Sequence, residues 1–90
     1  MKSKNHLTIT GVISTEVSVA PDHSWGRFSL VHSFGGHTPA LFLSCLIPPQ
    51  ILDGVLATGL KKNDAVTIKA YIRPMGDSVE AVVKALDICV

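Results

Sequence analysis

Charge of either sign is scarce in this chain. Only 17% of its 90 residues are Asp, Glu, Lys or Arg, and eight basic residues against seven acidic ones leave a formal net charge of +1. A whole-molecule field that draws in a polyanion is therefore lacking, and any affinity for phosphates has to come from local clustering. Cysteine is as sparse. Cys45 and Cys89 lie far apart, which gives no basis for a disulfide framework or a zinc site. Both sit in apolar, strand-like runs and read as two buried thiols in a reducing compartment. No segment approaches the roughly 20 apolar residues of a membrane span. The basic start Met1-Lys2-Ser3-Lys4-Asn5 runs into His6, Thr8, Thr10 and Gly11 instead of an unbroken apolar segment, which argues against a signal peptide. The expectation is a cytoplasmic protein without a membrane partner.

Apolar side chains, by contrast, are plentiful. They make up 47% of the sequence, more than a lone 90-residue domain easily hides. Self-association through a sheet edge or an apolar face follows as an expectation, in a homodimer or homotetramer.

Periodicity organises the chain into one domain, residues 1–90. From Asn5 to Val19, Leu7, Ile9, Gly11 and Ile13 alternate with Thr8 and Thr10, a β-branched strand pattern. Gly11 marks a bulge or sharp bend within it, the device by which one long strand serves two sheets or closes a barrel. Ala20-Pro21-Asp22-His23-Ser24 is a turn. A second strand follows over about Trp25–Ser33, with Phe28 and Leu30 on one face and Arg27, Ser29 and Val31 on the other. Phe34-Gly35-Gly36-His37-Thr38-Pro39 connects it to a third, more uniformly apolar strand over about Ala40–Ile47.

Pro48-Pro49 ends that strand, and Pro49 suits the first turn of a helix over Gln50–Thr58. Ile51, Leu52, Val55 and Leu56 form the apolar side of this helix and Gly59 its C-terminal cap. The charged turn Lys61-Lys62-Asn63-Asp64 leads into a fourth strand, in which Val66, Ile68, Ala70 and Ile72 face a core and Thr67, Lys69, Tyr71 and Arg73 face outward. A tight turn at Pro74-Met75-Gly76-Asp77 precedes a last strand over about Val79–Val90. Five strands with one helix between the third and fourth is the order of the OB-fold, an all-β five-stranded Greek-key barrel. A split ferredoxin-like fold needs a second helix, and a small β-sandwich leaves the helix unexplained.

Catalytic and metal chemistry find little support. His6, His23, His32 and His37 form no closely spaced pair with a carboxylate, so a metal reading is set aside. Asp22-His23-Ser24 holds the residue types of a triad, but neighbours in one turn cannot adopt its hydrogen-bonded geometry. A small barrel with a plugged interior also offers no pocket for a positioned nucleophile and base. The expectation is a binding protein, not an enzyme, with no cofactor.

The outward row Lys69, Tyr71, Arg73 sets a flat ring between two cations, a spacing suited to a single nucleic-acid strand with a base on the ring and phosphates beside the charges. The plain alternative is a half-exposed strand kept soluble by its charges. An OB-fold receives nucleic acid mainly on the face of its second and third strands. Candidate stacking residues are then Trp25, Phe34, Phe42 and Tyr71, and candidate phosphate contacts are Arg27, Lys69, Arg73 and Lys84. Phe42 reads equally as core or surface, and Lys61-Lys62 as a solvated turn.

The order of pieces also resembles a family, the bacterial single-stranded DNA-binding proteins together with primosomal replication protein N (PriB). Asn5-His6-Leu7-Thr8-Ile9-Thr10-Gly11-Val12-Ile13 is similar to the family's opening strand, and Arg27-Phe28-Ser29-Leu30-Val31 to its second. Ile51-Leu52 through Leu60-Lys61-Lys62-Asn63-Asp64-Ala65-Val66 resembles its helix, the exit from that helix and the strand beyond. The resemblance implies an OB-fold that binds single-stranded DNA (or RNA) without catalysis, as a homo-oligomer serving DNA replication, the primosome or a mobile element alongside replication proteins. The sequence departs from the family at Leu43 and Pro48-Pro49, which fall near its stacking tryptophans, and in a loop of about five residues between the last two strands. It also ends at Val90, in the last strand, where single-stranded DNA-binding proteins continue into an acidic tail; in this it is similar to PriB. These departures keep a second reading open: an OB-fold interaction module that has lost nucleic-acid binding and assembles through its apolar surface.

Overall fold

Alternation of apolar and polar residues dictates the first strand, β1, Leu7–Ile13. On its inward side Leu7 and Ile9 are half-buried and Ile13 has no exposed surface. The computed structural model describes residues 5–89 of the chain. After β1 come β2 (Ser18–Val19), β3 (Gly26–His32), β4 (Leu41–Ile47), α1 (Pro49–Ala57), β5 (Ala65–Met75) and β6 (Ser78–Ile88). The five long strands and single helix are those the sequence predicts, and they form a closed OB-fold barrel.

Closure depends on β1. The sheet runs β1-β5-β6-β4-β3-β2, and β1 turns back to pair with β3 as well. Leu7 through Val12 lie opposite Ala70 through Ala65 of β5, while Val12 and Ile13 lie opposite Val31 and Leu30 of β3. Gly11 sits at the crossover. A Cβ there would stand 2.5 Å from the carbonyl oxygen of Val31 and 3.0 Å from a Leu30 side-chain carbon, so only glycine lets the two strands approach this closely. Asn5 fastens the entrance of β1: its side chain accepts from the Ile72 amide at 3.0 Å and donates back to the Ile72 carbonyl.

The barrel interior is filled by Phe28, Leu30, Leu43, Cys45, Ile47, Val66, Ile68, Ala70, Ala81 and Val83, all buried. The helix closes one end with Leu52 and Val55. Gly26 makes room for it, since a Cβ there would meet Leu52 Cδ1 at 2.8 Å. Pro48 precedes the helix in extended conformation and Pro49 takes its first position, where a missing amide hydrogen costs nothing. Gly59, at φ +77°, terminates it and donates to the Leu56 carbonyl at 3.1 Å.

Several boundaries differ from the sequence expectations. The strand expected over Asn5–Val19 breaks at Ile13. Ser18 and Val19 form a separate pair opposite Arg27 and Gly26, further along the same edge of β3 that Val12 and Ile13 meet, since β4 fills the opposite edge. Pro74 and Met75 belong to β5, opposite Val79 and Ser78. The hairpin turns on Gly76 and Asp77 alone, with Gly76 at φ +59°, so the connection is shorter than the five residues expected. The strand expected to reach Val90 ends at Ile88, and Val90 lies outside the described residues. Cys89 is exposed, not buried, because it falls just past the last ladder pair. Among the described residues no helix is long and apolar enough to cross a membrane.

Replacing Gly11 with Ala should destabilise the barrel by about 1–3 kcal/mol, since backbone on β3 must give way. Gly54→Ala, on an open face of α1 with nothing within 4 Å, should stabilise it by about 0.5–1 kcal/mol. Thermal unfolding followed by circular dichroism separates the two signs. The cysteines yield a second expectation. Burial, together with the nearby charge of Glu80, pushes the Cys45 thiol up to about 12, and only a thiolate attacks a disulfide reagent. At about pH 8 such a reagent should modify Cys89 alone in the folded chain and both thiols after denaturation.

Candidate nucleic-acid interface

The outer face of the barrel is assembled from alternate residues of β3, β4, β6 and β5. Arg27 lies opposite Leu46, Leu46 opposite Val82, and Val82 opposite Tyr71. One rung thus carries a cation on β3 and an aromatic ring on β5, about 14 Å apart across three strand spacings. Arg73 follows one rung on, opposite Glu80. Lys69 follows in the other direction, with Thr8 of β1 and Ala85 of β6 on either side.

A register irregularity shapes this face. Lys69 pairs with Ala85 but Ala70 pairs with Val83, so Lys84 is left without a partner in the ladder. The bulge turns Lys84 over Tyr71, with Nζ 5.4 Å from the ring centre, a cation–π distance. Lys69 and Lys84, both exposed, also border a groove of about 440 Å³ together with His6 and Thr8. At the start of β3, Trp25 is 39% exposed and the Arg27 guanidinium lies 5.5 Å from its ring centre.

The centre of the face is held by Glu80. Its side chain is only 1% exposed, although its position on β6 points away from the core. Two arginines cover it. Arg73 approaches Oε1 through both Nε and Nη2, and Arg27 Nη2 lies 3.4 Å from Oε2. Glu80 Oε2 has no hydrogen bond among the described residues, so Arg27 is the looser of the two partners. The guanidiniums remain 44% and 46% exposed at the side-chain level.

The structure therefore brings Trp25, Arg27, Arg73, Tyr71, Lys84 and Lys69 onto one continuous face. Phe42 shares the outer side of β4, opposite Val31, and is 71% exposed, which resolves its ambiguous reading in favour of surface. Phe34 stands apart. It packs edge-on against His32, 4.8 Å between ring centres, and His32 Nδ1 in turn bonds the Thr10 carbonyl of β1 at 2.6 Å. Lys61 and Lys62 are exposed in their turn, which Asp64 stabilises by accepting from the Lys61 amide at 3.0 Å.

Sequence reasoning missed Glu80. Its signal was a single acidic residue within the apolar run Val79-Glu80-Ala81-Val82-Val83, where an unpaired charge is too costly to bury. Asp22, His23 and Ser24 form a local turn in which Ser24 N–H donates to Asp22 Oδ1 at 3.1 Å. Hydrogen bonding from the Ser24 side chain, and after it from the Ser24 amide, lowers the Asp22 carboxyl from its ordinary value. Among the described residues no three His, Cys, Asp or Glu side chains converge to hold a metal ion.

No protein-family model and no curated protein matches this sequence. Solved structures do. The second single-stranded DNA-binding protein of Mycobacterium smegmatis superimposes with a TM-score of 0.79 at 20% identity, over 98% of this chain and 95% of that one. The Plasmodium falciparum single-stranded DNA-binding protein, solved with single-stranded DNA, gives 0.77 at 14% identity, over 100% and 98%. The dimeric N-terminal domain of PriB from Thermoanaerobacter tencongensis gives 0.76 at 15% identity, over 96% and 97%. Likeness over nearly the full length of both chains establishes that this protein has the OB-fold these three proteins share.

Proposed function

We infer that this protein is a non-catalytic binder of single-stranded DNA. The observation that carries the reading is Tyr71 with the cation Lys84 over its ring and Lys69 beside Lys84 in one groove, on the same outer face as Trp25 and Arg27. Bases stack on Tyr71, Trp25 and the exposed Phe42, with Phe34 as a more distant contact. Phosphates lie against Lys69 and Lys84, and Arg27 and Arg73 add positive charge beside them. Stacking contributes about 1–3 kcal/mol per base and is indifferent to base identity, so sequence preference is weak. The neighbours in fold support the choice of ligand, since two are single-stranded DNA-binding proteins and one of these was solved with the strand bound. The dimeric PriB domain supports a homo-oligomer. The setting that fits is DNA replication, of a chromosome or a mobile element, in the cytoplasm and beside other replication proteins.

One observation favours a second reading, an assembly module without nucleic-acid binding. Phe42, Leu41 and Val79 are all exposed, and a protein partner would cover them. Fluorescence anisotropy of a labelled oligo-dT at several salt concentrations separates the two. On the first reading the affinity falls linearly in log–log form as salt rises. Tyr71→Ala weakens binding by roughly 5- to 150-fold, the equivalent of one stacked base. Lys69→Ala lowers the salt slope by about 0.7, one phosphate contact on a single strand. Absence of binding at tens of micromolar protein and low salt would leave the assembly module as the function.

A further inference from the structure

We propose that Glu80 is a built-in anionic competitor that keeps Arg27 and Arg73 from full engagement with nucleic-acid phosphates, and so sets the affinity of this face. The inference rests on the single-stranded DNA reading above. A carboxylate and a phosphate offer a guanidinium the same planar pair of acceptor oxygens. Arg73 already spends two of its donors on Glu80 Oε1, and Arg27 directs Nη2 at Oε2. The two cations converge from opposite edges of the face, from β5 and from β3, onto one buried anion on β6 between them. They therefore present one net positive charge instead of two. Burial at 1% exposure puts the Glu80 carboxylate beyond the screening that weakens surface pairs, so an incoming phosphate meets a resident rival. Among the described residues Lys69 and Lys84 have no acidic partner within salt-bridge distance, and they carry the phosphate contacts instead.

A structural role for Glu80 alone and a competing role make different predictions for a neutral isostere. Glu80→Gln keeps the side-chain volume and one acceptor oxygen while removing the charge. In the oligo-dT titration the variant should bind roughly three- to tenfold more tightly at low salt, as two released exposed cations imply. The magnitude of its salt slope should increase by about 0.7 for each arginine released. Adding Arg27→Ala to Glu80→Gln should return part of both gains. Binding equal to or weaker than that of the unaltered chain, with an unchanged slope, would overturn the proposal and leave the binding function intact. Absence of oligo-dT binding by the unaltered chain would instead remove the reading on which it rests. If Glu80→Gln fails to fold, the unaltered chain still decides through the Nε–H resonance of Arg73. The proposal expects that resonance to keep its free-state shift when oligo-dT saturates the protein. A large displacement would show that the phosphate takes Arg73 from Glu80, and would overturn it.

Discussion

Everything on the outer face depends on the path of one short strand. β1 must pair with β5 along most of its length and with β3 at its end, and it changes partners at Gly11, where even a methyl group would strike the Val31 carbonyl. Without that crossover the sheet would stay open. The inner row from Ile13 through Val83 would lose its enclosure, and β3 and β5 would not be held with three strand spacings between them. The rung from Arg27 to Tyr71 is a product of barrel closure, since its members lie 44 positions apart in the chain.

Closure also explains how a nearly neutral protein concentrates positive charge. Of its eight Lys and Arg residues, four, Arg27, Lys69, Arg73 and Lys84, share the outer face. The bulge at Lys84 contributes directly, because the extra residue swings a cation over Tyr71 that regular pairing would have aimed elsewhere. Each ring of the central face, the exposed Trp25 and the half-buried Tyr71, already has a cation against it. The free surface is thus largely self-satisfied, with ring against cation and cation against carboxylate.

Glu80 has consequences on both sides of the sheet. Outward it gathers Arg27 and Arg73, and inward its charge adds to the burial that suppresses ionisation of Cys45. Burying one carboxylate between two arginines holds β3, β6 and β5 in a fixed relation while lowering the net positive charge of the outer face. A buried pair of this kind is weak evidence for stability.

Much of the architecture was legible from the residues alone. Alternation of Leu7, Ile9 and Ile13 with threonines, the Phe28–Leu30 and Val66–Ala70 rows, and the Pro49 and Gly59 helix limits are local signals, and local sterics and burial periodicity decide them. The identity of the outward residues Lys69, Tyr71 and Arg73 was equally local. Pairing across the barrel was not, because it depends on which strands meet and in what register. Nothing near Glu80 in the sequence says that it faces Arg73 on one side and Arg27 on the other, nor that the ladder slips by one residue to lift Lys84 over Tyr71. Cys89 and Phe42 carried the same apolar signature as buried neighbours, and their exposure followed only from where the last ladder pair fell and which face of β4 turned outward. Local sequence specified the elements, the inward rows and the kinds of side chain turned to solvent. Tertiary structure decided which of those side chains meet, because contacts between distant residues are set by closure and register.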